Sequence, residues 1–254
     1  MLPELSWSLY LDFKEKEKIK VDIIVENQFF GLALSIIAFQ IGLLIYGRFR
    51  LPIFNPLLIA AGLIIGILII FDIDVEKYNK GANIIHIFLG PATVLLAVPL
   101  YRQIEKVKEN ALPILLGITM GSLSSIISVA LFSKLLGLDE ILLRSLVAKS
   151  VTTPIGIEVT NSLGGLPPVT VLSIIITGIT GAAIGPALCK LLGIKNKIAV
   201  GVALGTASHG VGTSKALELG ETEGAMSSLS IGLAGLITVF LMPIVFPFVL
   251  KIIN

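Results

Sequence analysis

Charge is scarce in this chain of 254 residues. Asp, Glu, Lys and Arg make up 14% of it, against 55% hydrophobic residues, and the mean hydropathy is +0.97. A soluble domain carries about 25% charged residues, so this composition describes a polytopic membrane protein. The formal net charge is only +2 and no basic tract is present, which gives no sign of nucleic-acid binding. Cysteine occurs once, at Cys189. An internal disulfide is excluded, and Cys189 reads as a small buried packing residue. Histidine occurs twice, at His86 and His209, with no His-Glu-x-x-His pattern for a metal. No metal or cofactor is expected. The first 27 residues lack the basic start, apolar middle and small-residue cleavage site of a signal peptide.

What is present is long apolar sequence. Residues 1–28 form a separate N-terminal stretch, with Trp7, Tyr10 and Phe13 beside Lys14-Glu15-Lys16-Glu17-Lys18. It reads as an amphipathic interfacial segment or as a free tail. Eight apolar segments follow in residues 29–254: roughly Phe29–Gly47, Leu57–Phe71, Ile84–Tyr101, Leu112–Phe132, Ile141–Asn161, Val169–Leu192, Ile198–Leu217 and Ala225–Val249. Most approach the ~20 residues that cross a bilayer core. The expected fold is therefore all-α. If all eight cross, eleven Lys and Arg residues lie on one side and six on the other, which places both termini in the cytoplasm.

The third, fifth and seventh segments carry interruptions and are expected to be broken or re-entrant. Pro91 falls in the third and Pro154 in the fifth. The seventh holds the run Gly205-Thr206-Ala207-Ser208-His209-Gly210-Val211-Gly212-Thr213. Backbone that leaves the helix at membrane depth must be buried in protein or line a cavity, and broken helices around a midplane cavity are the common transporter site. A faint internal repeat is visible: Pro91 precedes Gly117-Ile118-Thr119 as Pro154 precedes Gly178-Ile179-Thr180.

Two clusters offer chemistry for a small carboxylate. In the fifth segment, Lys149 supplies charge while Ser150, Thr152 and Thr153 supply hydroxyls. Lys149 and Thr153, four apart, share a helix face, and Glu158 reaches Lys149 only if Pro154 breaks the helix. The bland alternative is a Lys149 that snorkels to the interface. In the seventh segment Thr206, His209 and Thr213 share one helical face, with Ser208 adjacent. Gly205, Gly210 and Gly212 permit a turn or close approach. His209 can bind an anion or carry a proton, or be an ordinary packed histidine. Glu158 and His209 are the candidates for coupling. Glu221 and Glu223 read as loop charges.

Enzyme readings fit poorly. Ser208 and His209 are adjacent, so a helix points them about 100° apart, and they form no nucleophile–base pair. Gly205 and Gly210 have the first spacing of a phosphate loop, but Val211-Gly212 stands where Lys and Ser or Thr are required.

These motifs resemble the LrgB family. The resemblance rests on Lys149-Ser150-Val151-Thr152-Thr153-Pro154-Ile155 with Glu158, on Gly185-Pro186, and on Ala203 to Thr213 with Ala216-Leu217-Glu218. Gly224-Ala225-Met226-Ser227-Ser228-Leu229 adds to it. It covers roughly residues 30–250 and implies an antiholin-like role with a small LrgA-type membrane partner. It also implies carriage of glycolate, glycerate or pyruvate, as in similar plastidal and bacterial proteins. The expectation is a homodimeric carrier of small monocarboxylates in a bacterial or archaeal cytoplasmic membrane, proton- or cation-coupled. The rival is a non-transporting regulator of murein hydrolases and autolysis.

Overall fold

The computed structural model describes residues 24–49 and 54–253. The expected interfacial segment lies outside these residues up to position 23. Every regular element among the described residues is helical, as backbone in lipid requires, because an open sheet edge has no water to satisfy it. Five stretches are long and apolar enough to cross a membrane: Phe30–Phe49, Val75–Arg102, Ala111–Leu135, Pro167–Leu191 and Glu221–Lys251. The fifteen-residue helix Pro56–Ile70 is a shorter apolar element.

The chain divides into two compact units, residues 1–93 and 94–254. In the first, α1 (Phe30–Phe49), α2 (Pro56–Ile70) and α3 (Val75–Ile87) pack through glycines. A Cβ at Gly81 would lie 2.7 Å from the Gln28 carbonyl oxygen, and one at Gly42 would lie 2.6 Å from that of Pro56. Ser35 and Tyr78 share a hydrogen bond of 2.8 Å. After α3 the third apolar segment stops at Phe88 and restarts as α4 (Leu89–Leu95), with Pro91 in its first turn, where a missing N–H costs little.

The second unit contains α5 (Ala97–Arg102), α6 (Ile104–Glu109), α7 (Ala111–Leu135), α8 (Glu140–Leu146) and α9 (Thr153–Leu163). It continues through α10 (Pro167–Leu191), α11 (Lys197–Leu219) and α12 (Glu221–Ile253). Two of the eight apolar segments do not cross. The fifth turns back between α8 and α9. Arg144 donates to the Leu163 carbonyl oxygen and to Glu140, and its guanidinium sits 5.5 Å from the Phe246 ring centroid. The Leu166 N–H donates to Ser145 Oγ at 2.7 Å. A continuous helix would hold Arg144 and Leu163 about 28 Å apart.

The seventh segment also turns back. His209 has φ 41 and ψ −131 inside α11. On the first limb, a Cβ at Gly201 would meet the Glu223 backbone. On the second, Leu217 meets Gly224. An unbroken helix would separate Gly201 from Leu217 by about 24 Å, yet both rest on adjacent residues of α12. At the next level Gly205 faces the Ser227 backbone, and Thr213 Oγ1 lies 2.7 Å from Ser227 Oγ.

The hairpins fall in two of the segments expected to be broken or re-entrant, and they correct other parts of the sequence reading. The charge tally assumed eight crossings, so its placement of both termini loses its basis. The helical face shared by Thr206, His209 and Thr213 does not exist, since His209 ends the first limb. Lys149 and Thr153 do not share a helix face either, because residues 147–152 carry no helix between them. Glu223 is not a loop charge. It is 8% exposed at the base of the second hairpin, with Oε2 unpartnered. The internal repeat is not reproduced in the element order: two short helices, α5 and α6, lie between the helix of Pro91 and α7, whereas none lies between the helix of Pro154 and α10.

The hairpins enter from opposite ends. The first begins after the C-terminus of α7 and returns to the start of α10. The second begins after the C-terminus of α10 and returns to the start of α12. Two apolar clusters hold them. One joins Ile126, Leu143, Val147, Val151, Val159, Met242 and Phe246 around the first hairpin. The other joins Ile114, Ile118, Val202, Ala225 and Met226 around the first limb of the second.

Gly205→Ala should therefore lower the thermal midpoint in detergent, by the ~1–3 kcal/mol typical of overpacking, because its Cβ meets backbone that cannot yield. Gly210→Ala, with nothing within 4 Å of its Cβ, should leave the midpoint unchanged. Cysteines placed at Lys195 and Glu218 should label from the same face of sealed vesicles. Labelling from opposite faces would mean that α11 crosses.

Candidate functional site

Both hairpin tips line an open cavity of about 970 Å³ among α7, α10, the first limb of α11 and the first tip. Its depth follows from α7. Asn110 lies at one end of the lining and Ser125 deep within it. At 1.5 Å per residue, Ser125 is about 22 Å along the helix from Asn110 and about 15 Å from Leu135. The deep end is thus near the middle of the span.

Small residues make the cavity. Gly121 accommodates Thr206, whose Cγ2 would lie 2.9 Å from a Cβ there. Gly181 accommodates the Ser208 hydroxyl. Gly117 faces Val202, and a Cβ at Gly178 would lie 2.6 Å from the His209 ring. The two Gly-Ile-Thr stretches noticed in the sequence thus both place a glycine against the second hairpin, one from α7 and one from α10.

Lys149 is the only charged residue in the lining. It is half-buried and donates to Ser150 Oγ at 3.1 Å. No carboxylate pairs with it among the described residues. Glu158 is exposed on α9 and lines no part of the cavity. The break at 147–152 thus separates Lys149 from Glu158 rather than joining them. Ser150 Oγ also accepts from Ser125 Oγ at 3.0 Å, and Ser128 Oγ donates to the Ser125 carbonyl at 2.9 Å. With two donors already on Ser150 Oγ, its lone pairs are occupied and its own O–H remains to donate. Thr206 also lines the cavity, but its Oγ1 is itself fully buried and has no partner. The deep end therefore presents spare donors: two ammonium N–H groups and the hydroxyl of Ser150.

Of the substrate-binding candidates, Lys149, Ser150, Thr206 and Ser208 line the cavity, and Thr152, Thr153, His209 and Thr213 do not. Thr152 and Thr153 open α9, with Pro154 also in its first turn. Thr213 Oγ1 donates to the His209 carbonyl at 3.0 Å. His209 Nε2 lies 2.9 Å from the Ile174 carbonyl oxygen, with the residue 6% exposed. Its role here is to pin the second tip to α10. Of the glycines proposed as breaks, Gly205 and Gly212 provide close approach, and Gly210 stands in open space. The turn itself is taken by His209.

Sequence reasoning missed Ser124, Ser125, Ser128, Thr177, Thr180 and Asn196, all in the lining. The signal existed for some of them: Ser125 and Ser128 lie three apart, as do Thr177 and Thr180, in otherwise apolar helices. No group of His, Cys, Asp or Glu able to hold a metal occurs among the described residues.

The LrgB-like family model matches residues 35–248. The chain belongs to the LrgB family. An antiholin-like protein LrgB of Bacillus cereus (strain B4264) is 36% identical over 222 residues, covering 87% of this chain and 96% of the relative. An antiholin-like protein LrgB of Bacillus anthracis (strain CDC 684 / NRRL 3495) matches to the same extent. No solved structure matches. The LrgB match contains both hairpins and the whole cavity lining.

Replacing His209 separates its two roles. The backbone values fit glycine better than any L side chain. His209→Gly should relieve that strain and lose only the ring's bond to Ile174. His209→Ala loses the bond and keeps the strain. The thermal midpoint in detergent should fall for both and fall further for alanine, by a difference of about 1 kcal/mol.

Proposed function

We propose that this LrgB protein is a membrane carrier for small monocarboxylates of the glycolate, glycerate, pyruvate or lactate type. The observation that carries the reading is Lys149: a cation near mid-span, at the deep end of an open cavity, with one neutral hydroxyl as its only hydrogen-bond partner among the described residues. A charge at membrane depth costs roughly 2.5–3.5 kcal/mol on insertion scales and marks ion or substrate pathways. A carboxylate would accept from Lys149 and Ser150 at once, in charge-assisted bonds that a low-dielectric cavity strengthens. The snorkelling alternative for Lys149 is disfavoured by its place at a hairpin tip, far from either interface.

Orientation belongs to the same proposal. In the second unit, Arg102, Lys106, Lys108, Lys190, Lys195, Lys197 and Lys215 lie toward the end where Asn110 and Asn196 stand. Lys134, Arg144 and Lys251 lie toward the other. Seven against three favours a cavity that opens to the cytoplasm and a C-terminus on the opposite face, in place of the two cytoplasmic termini inferred from eight crossings. Proton or cation coupling and a symmetric homodimer, the commonest closed oligomer, belong to the proposal, and an LrgA-like partner is added on the family resemblance.

The second reading is an antiholin-like regulator that transports nothing, favoured by the names of the relatives. Uptake of a panel of small carboxylates into proteoliposomes separates the two. A purified, folded protein that moves none of them would leave the regulator.

Lys149→Ala should weaken carboxylate binding by ~1.5–3 kcal/mol, the range for hydrogen bonds to charged groups. Lys149→Arg should recover little, since a planar fork cannot take the place of a compact ammonium. Equilibrium binding to purified variants checks both. Wild-type affinity in Lys149→Ala would remove this residue from the site.

A further inference from the structure

The floor of the cavity has a second side. Ser125 and Ser150, joined at 3.0 Å, line the large cavity and also a separate void of about 10 Å³ between α7, the first tip and α12. The rest of that void is lined by Ser122, Ile126, Val147, Ala148, Val151 and Thr238. Its volume is about that of one water. Ser122 and Thr238 are 5% and 4% exposed, and neither hydroxyl hydrogen-bonds to another protein group.

Several other hydroxyls on these helices are satisfied by their own backbone. On the same helices, Thr119 donates to the Leu115 carbonyl and Ser230 to that of Met226, as hydroxyls in apolar helices commonly do. Neither oxygen is among the fully buried, unpartnered atoms, so each keeps some open surface, and a hydroxyl that has only such a space to turn to is a cost that Ala or Val would avoid. Ser122 and Thr238 face a water-sized space at the edge of the apolar cluster around Ile126, Val147, Met242 and Phe246. That cluster closes the protein on the side away from the cavity mouth.

We propose that the Ser125–Ser150 pair is a gate, and that Ser122 and Thr238 form the next polar step of the substrate route behind it. In the conformation seen here this step takes one water. When the tip moves away from α7, Ser125 and Ser150 part and the two spaces join. A carboxylate leaving Lys149 then finds hydroxyls in place of the hydration it has shed. The proposal rests on the carrier reading of the cavity, so its test includes a readout that needs no transport.

That readout is thiol accessibility. In a Cys189→Ala background, Thr238→Cys should react in membranes with a small charged methanethiosulfonate reagent at least tenfold faster than Ser230→Cys, a fully buried site on the same helix. Adding Ser125→Ala, which removes the gate bond, should speed the Thr238→Cys reaction further, at least threefold. Equal reactivity of Thr238→Cys and Ser230→Cys would overturn the route, and no effect of Ser125→Ala would overturn the gate.

The second arm uses uptake. Ser122→Ala with Thr238→Val removes both hydroxyls at nearly constant shape. It should lower the maximal uptake rate at least fivefold with equilibrium carboxylate affinity and thermal midpoint kept or raised. Merely structural hydroxyls would leave uptake unchanged, and that result would overturn the proposal. A wild-type protein that takes up no carboxylate defeats the carrier reading instead, and the labelling comparison still decides whether the route exists.

Discussion

A polypeptide that leaves the helix inside a bilayer has no water to turn to. Every N–H and C=O freed by the two reversals in the second unit has to be covered by protein, and the packing around them follows from that need. The covering is achieved by closeness. Gly201 and Gly205 let the first limb of α11 lie on the α12 backbone, and Gly178 and Gly181 let its tip lie on α10. Hydroxyls then close the remaining gaps, as between Thr160 and Thr170 at 2.8 Å or from Thr170 to the Ser145 carbonyl at 2.8 Å. Without side chains this small, the tips would stand away from the scaffold with their polar groups exposed to hydrocarbon.

The same closeness sets what the cavity can bind. Walls of glycine, alanine and hydroxyl residues leave room, and one cation at the deep end supplies the sign. The hydrogen bonds at that end run in one direction, from Lys149 and Ser125 to Ser150, so the hydroxyl that receives them has only a proton left to offer. An acceptor-rich, negatively charged group is complementary to that arrangement, and a cation is not. Buried donors without partners would be a defect in a static bundle, and they are what a binding site for an anion needs.

Much of this was legible in the sequence. The all-helical class followed from the scarcity of charge, and the places where helices fail followed from Pro154 and from the glycine- and hydroxyl-rich run around His209. The direction taken after each failure was not legible. Residues 197–219 have the length of a spanning helix, and nothing local distinguishes a kinked span from a hairpin. The difference lies in Gly201 and Leu217 resting on the same end of α12, which is a long-range fact. Single hydroxyls such as Ser125 and Thr238 were lost for another reason: in an apolar helix most serine and threonine residues satisfy themselves on their own backbone, so only three-dimensional placement shows which ones do not. Glu223 failed similarly, since its burial depends on the second hairpin returning to its side.

Arg144 gives the first hairpin an uneven stiffness. Its guanidinium ties α8 to the end of α9 through the Leu163 carbonyl and rests on Phe246 of α12, so the hairpin is moored at its root. A beam held in this way does not swing as a body. Its tip, the six residues 147–152, has no regular structure and keeps Val147, Ala148 and Val151 in the apolar cluster, which leaves Lys149 and Ser150 as the tip residues that face the cavity. Displacement of the charge then comes from rearrangement of a few backbone torsions, and the scaffold that carries the hairpin can stay still while it happens.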